Sequence, residues 1–339
     1  MDKIKEWLET TPYKDYAIEV ASADASFRQY YRLDSRVEPE NDGKSKPKHN
    51  GKQVTLSLTG GLSTTSVLLM DSSQEKESLA PFIDVTSRLL DVDVNAPKIL
   101  AQNLEDGYLI IEDFGNTHYL NLLNEENFNT LYLQAIDEII VMQKANTQKL
   151  PLYDKAFLHF EMDLMKDWYI EKNLKIILSK TQKDIIKTTL DTISDIVLSQ
   201  PQDVFVHRDF HSRNIMIKPN SEIGVIDYQD AMNGAITYDL VSLLKDCYIE
   251  YERKDIEKLA LKFRDKKELE VSDEEFIKWF DFMGLQRHIK VLGIFSRLYL
   301  RDGKDGYLKD IPLTLKYTID TASRYTQTKE LAQLLKEIQ

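Results

Sequence analysis

The sequence predicts an α+β fold in two lobes: a small β-rich N-terminal lobe over residues 1–114 and a larger helical lobe over residues 115–339. Three observations predict it. Short alternating runs separated by turn residues fill the first third, with one helix among them. After Gly115 the apolar spacing changes from alternation to a 3.6-residue period. A single β-rich stretch, Val204–Asp230, then interrupts the helices and carries most of the polar residues whose spacing suits chemistry.

Taken in order, residues 1–10 read as a short amphipathic helix with Ile4, Trp7 and Leu8 on one side. Ile18–Ser22 and Tyr30–Leu33 read as strands joined by small and polar residues. Arg36–Lys52 holds one apolar residue, Val37, among Pro, Gly, Asn, Lys and Glu, so it reads as a flexible insertion with almost nothing to bury. Gln53–Leu58 and Ser66–Met70 read as a hairpin around Gly60-Gly61. A helix is expected from Glu75 to Leu90, then strands at Lys98–Ala101 and Tyr108–Glu112. Glu126–Thr147 repeats apolar residues at Phe128, Leu131, Ala135, Ile139 and Met142, the stripe of an amphipathic helix. Phe157–Leu178 and Thr181–Leu198 read as two further helices, with Phe157, Phe160, Leu164 and Trp168 as an apolar stripe. From Thr237 onward the pattern is again helical.

Composition narrows the partners. The chain has 339 residues, 42% hydrophobic and 29% charged, as in soluble globular proteins. Its net charge of -12 argues against nucleic acid or an anionic membrane as main partner, because binding phosphate needs a basic face. One cysteine, Cys247, excludes an intrachain disulfide and a thiolate metal site. No apolar run approaches the roughly 20 residues that span a bilayer. The N-terminal MDKIKEWLETTPY has no apolar signal core, so the expected compartment is the cytoplasm.

The segment His207-Arg208-Asp209-Phe210-His211-Ser212-Arg213-Asn214 fits H-x-D-x₄-N, and Asp227 follows at the end of Gly224-Val225-Ile226. With 6 His, 32 Asp and 14 Asn in the chain, chance matches to that spacing number ~0.02. This is the catalytic-loop and metal-loop arrangement of kinases. The chemistry explains the spacing: Asp209 reaches an acceptor hydroxyl, while Asn214, farther along the same loop, turns to a Mg²⁺. A hairpin, Asn214–Ile217 with Gly224–Asp227, brings Asp227 in as the second oxygen ligand. A polar loop with only local hydrogen bonds is the bland alternative. His207 reads as a structural hydrogen-bonder and His211 as a loop histidine.

These residues resemble those of the aminoglycoside phosphotransferase and choline kinase superfamily. Ser22–Leu33 (SADASFRQYYRL), Asp113-Phe114-Gly115, the helix around Glu161–Trp168, Val225–Asp246 and Met283–Leu298 look like the anomeric N-acetylmuramate/N-acetylglucosamine kinases of peptidoglycan recycling. The resemblance implies a two-lobed protein-kinase-like fold, ATP and Mg²⁺, and an ATP-dependent transfer to the anomeric hydroxyl of an N-acetylated amino sugar. Two features point to a small acceptor independently. About sixty residues lie between Gln148 and the catalytic loop, enough for two helices capping a small substrate. Only 12 positions separate Asp227 from Asp239, too few for a long activation loop.

The nucleotide side departs from the usual pattern. There is no G-x-G-x-x-G; Ser22–Arg28, with Ser22 and Ser26, is the candidate phosphate loop. Met70 stands where a strand lysine is expected. Arg28 and Arg32, placed on one face with Tyr30 by strand alternation, are the candidate replacements, or simply exposed strand arginines. Glu112 through Gly115, with Phe114, reads as the connection that supplies backbone groups to adenine. Asp239 opens a helix and reads as favouring that helix N-terminus or as bracing the catalytic loop. Substrate candidates are Glu161, Asp230, Arg287 and Lys290. Trp168 reads as core. Arg287, His288 and Lys290 read as a solvated face, or as cations for a substrate carboxylate.

The expected partners are a nucleotide and a small sugar, with the chain a monomer. Two rivals stay open at this stage: another small-molecule kinase, acting on an aminoglycoside, choline or homoserine, and a catalytically dead nucleotide-binding module suggested by the missing lysine. A strongly acidic cleft would favour the aminoglycoside.

Overall fold

A computed structural model describes residues 1–23, 28–35, 66–218 and 220–338, Ser22 and Ala23 by backbone alone. Ser26, the insertion 36–52 and the strand expected at Gln53–Leu58 lie outside the described residues. Contacts divide the chain into two units. The first is Met1–Ser87, Asn95–Thr117 and Met216–Gln229; the second is Arg88–Val94, His118–Ile215 and Asp230–Gln339.

The first unit opens with α1 (Asp2–Leu8), β1 (Ala17–Ala23), β2 (Gln29–Asp34) and β3 (Ser66–Asp71). Most of α2 (Leu79–Leu90) follows, then β4 (Ile99–Asn103) and β5 (Tyr108–Glu112). A 3₁₀ turn at Lys76–Ser78 precedes α2, so the helix expected from Glu75 begins in the tighter form. The five strands form one antiparallel sheet in the order β1-β2-β3-β5-β4. Leu33 pairs with Val67, and Leu69 with Ile110. That register puts Leu33, Leu69, Tyr108 and Ile110 on one face, where Ile4 and Leu8 of α1 close a small core. Leu109 and Ile111 point to the opposite face by alternation and are also buried.

The hairpin Ile215–Ile217 with Ile223–Val225 is tied into this unit by its backbone: the Val225 N–H donates to Asn95 and the Ile217 N–H to Thr117. Gly224 is required there, because a Cβ would sit 2.4 Å from the Phe114 ring.

The second unit is helical: α3 (Phe128–Met142), α4 (Lys155–Leu164), α5 (Lys180–Ser199), α6 (Tyr238–Leu244), α7 (Arg253–Lys266), α8 (Asp273–Asp302), α9 (Ile311–Ala322) and α10 (Lys329–Glu337). A strand pair, Val204–Val206 with Met232–Gly234, is its only sheet among the described residues. Local signals set the helix ends. The Asp154 carboxylate accepts the Phe157 N–H at 2.8 Å, Ser179 and Gln182 form a capping box on α5, and Ser272 caps α8. Gly303, at φ 68°, ends α8 in the left-handed conformation.

α8 organises the unit. It packs on α4, α5, α6, α7 and α9 and is buried all round from Phe280 to Gly293. A helix enclosed on every side must satisfy its polar side chains internally. Arg287, His288 and Lys290, only 4%, 1% and 4% exposed, are therefore interior groups and not a solvated face.

Two further expectations are corrected here. The helix expected over Phe157–Leu178 is α-helical only to Leu164, then a π-helix over Met165–Asn173. The change falls where Gly293 of α8 meets the chain: a Cβ there would lie 2.3 Å from the Leu164 carbonyl carbon. The stripe of Phe157, Phe160, Leu164 and Trp168 is not the inward face. Phe160 is 64% exposed, and the buried residues are Leu158, Glu161, Met162, Met165, Tyr169 and Ile170. Trp168 is half-buried, with the Lys172 ammonium 3.5 Å from its ring centre. The inward face contains a carboxylate because cations from elsewhere in the unit converge on it.

Candidate active site

The loop from His207 to Asn214 leaves the strand Val204–Val206 and is pinned by apolar anchors, Val206, Phe210 and Ile215, each at most 1% exposed. Two buried carboxylates hold its backbone. Asp239 Oδ2 accepts the His207 N–H at 2.8 Å and Oδ1 the Arg208 N–H at 3.0 Å. Asp246 Oδ2 accepts the N–H and hydroxyl of Ser212 at 2.9 and 2.5 Å. Arg208 has φ 78°, a left-handed conformation costly for a residue with a Cβ, which the two Asp239 bonds oppose.

The loop also closes on itself. The Asp209 N–H donates to His207 Nδ1 at 3.3 Å. The Asp209 carbonyl accepts the His211 N–H and the Asn214 side-chain amide, each at 3.0 Å. The backbone of Asp209 is thus fully engaged while its side chain stays 42% exposed.

That side chain opens onto a cleft of about 210 Å³. Its lining includes the polar residues Arg208, His211, Asp230, Tyr248, Arg287 and Lys290 and the apolar Val291, Ile294 and Phe295 of α8. Burial alone would raise the Asp209 carboxyl. Lys290 and Arg287 outweigh it, with smaller help from His211 and Arg208, and hold the group well below the usual carboxylate range. Asp209 is therefore ionised at neutral pH.

Behind the cleft lies a buried ion network. Glu161 Oε1 accepts from Arg208 Nη2 at 2.6 Å and from Lys290 Nζ at 3.1 Å. Glu161 Oε2 accepts from Gln286 Nε2 at 3.1 Å and from the Tyr153 hydroxyl. Lys290 also donates to the Tyr238 hydroxyl at 3.2 Å. Glu161, expected as a sugar ligand, has both oxygens taken by protein; it positions the cations instead. Arg287 Nη2 stands 3.7 Å from Asp209 Oδ1.

In the first unit, Arg32 does a different job from the phosphate contact expected of it. Its Nε donates to Asp113 Oδ2 at 2.6 Å, and its Nη2 to Asp113 Oδ1 and Asn116 Oδ1 at 3.1 and 2.8 Å. Asp113 is buried, which alone would raise its carboxyl, but Arg32, the Gly115 N–H and Ser66 pull it below the ordinary value. Arg32 therefore braces the segment after β5. Arg28, 4% exposed, lies 3.4 Å from the Ser78 hydroxyl through its Nε. Phe114 is buried, with Lys218 Nζ 4.9 Å from its ring centre and 3.3 Å from Glu112. Asp227 has φ 66°, and its Oδ1 accepts the Gln229 amide at 3.0 Å. Met70 is fully buried.

The profile of the phosphotransferase enzyme family matches residues 50–270. The chain belongs to this family. Two relatives carry the name N-acetylmuramate/N-acetylglucosamine kinase. The one from Neisseria meningitidis is 38% identical over 99% of this chain and 95% of its own, and the one from Pseudomonas aeruginosa 35% identical over 93% and 86%. Among solved structures, an ADP-bound aminoglycoside phosphotransferase superposes with a TM-score of 0.59, 14% identity and coverage of 94% of this chain and 98% of its own. The phosphotransferase fold is therefore the two-lobed kinase-like one.

Several residues of this candidate site escape a reading of the sequence. Arg208 sits inside the motif, yet nothing local says its side chain turns toward Glu161. Tyr153 and Gln286 reach the same carboxylate from two distant segments, and the Tyr238 hydroxyl meets that of Tyr153 and accepts from the Lys290 ammonium; none has a signal in spacing. Tyr248 stacks under Arg213, 3.4 Å from its ring centre, and meets the His211 ring edge-on.

Proposed function

We propose that the protein is an ATP-dependent sugar kinase that phosphorylates the anomeric hydroxyl of an N-acetylated amino sugar, N-acetylmuramate or N-acetylglucosamine. The relatives' names support the sugar, and the ADP-bound neighbour supports the nucleotide. One observation supports the chemistry most: the Asp209 carboxylate is ionised and projects into a cleft from a loop whose backbone is otherwise locked.

In this reading Asp209 accepts a hydrogen bond from the sugar hydroxyl and orients its oxygen toward the γ-phosphorus. The new P–O bond forms as the bond to the β–γ bridging oxygen breaks; ADP leaves and the hydroxyl proton passes to Asp209. Its carboxylate is a weak base, which suits a loose transition state where the proton moves late and positioning matters most. The anomeric hydroxyl is the most acidic of a reducing sugar, because the ring oxygen withdraws electron density.

Asn214 and Asp227 are the proposed Mg²⁺ ligands, on the strength of the motif. Their donor set of one amide and one carboxylate oxygen fits a hard cation that completes its shell with water and phosphate oxygens. When bound, Mg²⁺ neutralises phosphate charge. For the nucleotide we assign Ser22, Ser26, Arg28 and the Glu112–Gly115 segment with Phe114. His207 and Asp239 shape the loop, and Asp230 lines the substrate cleft.

The cationic wall disfavours the rivals that carry positive charge: an aminoglycoside or choline would meet Arg208, Arg287 and Lys290. Incubation with ATP, Mg²⁺ and each amino sugar should consume the reducing end and yield an acid-labile 1-phosphate visible by ³¹P NMR. A 6-phosphate with its reducing end intact would overturn the anomeric assignment.

A further inference from the structure

The two cations that α8 brings to the cleft are not equivalent. Lys290 is committed: Glu161 and the Tyr238 hydroxyl both hold its ammonium at hydrogen-bond distance. Arg208 is held by the same Glu161. Arg287 is only partly committed: it bonds the Tyr238 side chain. Among the described residues its one ion-pair partner is Asp209, at 3.7 Å, beyond hydrogen-bond range. Its Nε is buried with no hydrogen-bond partner. Its side chain is only 5% exposed, and it lines the cleft beside Asp209.

A buried guanidinium with unmade hydrogen bonds is costly unless something completes it. The nearby carboxylate cannot: Asp209 is required to face the acceptor hydroxyl. His211, which lines the same cleft, also has a buried Nδ1 without a partner.

We infer that Arg287 is a specificity residue that binds a carboxylate carried by the sugar, with His211 beside it, and that the cleft therefore reads the lactyl group of N-acetylmuramate. This rests on the sugar-kinase reading above and deepens it. Arg is the side chain suited to the task, because its planar fork meets a carboxylate with two parallel hydrogen bonds. N-acetylglucosamine has no such group and leaves the guanidinium as it stands. Glu161 acts from behind by occupying Lys290 and Arg208, which keeps Arg287 as the cation available to the substrate.

The experiment compares kcat/KM for N-acetylmuramate and N-acetylglucosamine in the wild type, Arg287→Gln and Arg287→Lys. The glutamine variant should lower the N-acetylmuramate to N-acetylglucosamine ratio tenfold or more, mostly through KM, and the lysine variant should restore part of it. An unchanged ratio, or equal losses on both sugars, overturns the inference and leaves Arg287 acting on Asp209 or on the transferred phosphoryl group. A second measurement needs no variant. The methylamide of N-acetylmuramate, which keeps the lactyl shape without its charge, should lose at least tenfold in kcat/KM on the wild-type enzyme; retention within twofold of the acid overturns the inference even if the glutamine variant does not fold. A wild type that phosphorylates neither sugar defeats the sugar-kinase reading itself, whereas turnover of both with an insensitive ratio defeats this inference alone.

Discussion

Glu161 and Arg208 are joined by a 2.6 Å ion pair inside the helical unit, and Glu161 shares the same oxygen with Lys290 at 3.1 Å. The residue before the proposed base and Lys290 of α8 are thereby both anchored to α4. Removing the carboxylate leaves two buried cations without a counter-charge. Glu161→Gln should cost about 3–5 kcal/mol of stability by urea unfolding, the usual penalty for breaking one side of a buried pair. It should also lower turnover. A variant within 1 kcal/mol of the wild type would show that the network contributes little.

Asp209→Asn keeps the shape of the side chain and removes its charge. It should retain the fold and ATP binding while lowering kcat by about 10²–10⁴, the range for a positioned general base. Single-turnover assays with either amino sugar check this. Near wild-type turnover would remove Asp209 from the reaction.

Asp227→Ala removes the charged member of the proposed metal pair and leaves Asn214. Calorimetric titration of ATP should show strong enhancement by Mg²⁺ in the wild type and at least a tenfold loss of that enhancement in the variant. Equal affinities would move the metal elsewhere.

Asp281 gives a pH dependence with a definite sign. It is fully buried and receives Lys245 Nζ at 3.0 Å, Arg253 Nη2 at 2.7 Å and the Tyr325 hydroxyl at 2.9 Å. Burial would raise its carboxyl, but Lys245 and Arg253 outweigh it and bring the group down to about 2. The folded value lies below the ordinary 3.8, so the group favours folding above about pH 4 and that contribution is lost as pH falls toward 2. The difference is about 2 kcal/mol. Asp281→Asn should be less stable at pH 7 and should lose less stability than the wild type between pH 4 and 2. Identical slopes would contradict the assignment.

The motif proposed to carry the chemistry was legible because it is local. His207, Asp209 and Asn214 fall within one eight-residue loop, and the loop's own backbone bonds, from Asn214 and His211 to the Asp209 carbonyl, follow from that closeness. Strand alternation and helix period likewise operate over a few residues, so β5, α3 and α5 fall close to where the pattern puts them.

Side-chain partnership was decided by the tertiary structure. Arg32 reaches Asp113 across 81 positions and Arg208 reaches Glu161 across 47, and nothing in the flanking residues marks either pair. A charge on a helix is ordinarily read as facing water, because burying it alone is prohibitive. α8 defeats that reading: it is enclosed all round, and its arginine and lysine are tolerated only because α4 and the catalytic loop deliver Glu161 and Asp209 to them. The sequence by itself determined which loop is the candidate for chemistry, since spacing along the chain is enough to place groups on one short loop. Which cation is paired with which group inside the protein depends on packing between segments far apart in the chain, and only the folded structure decides it.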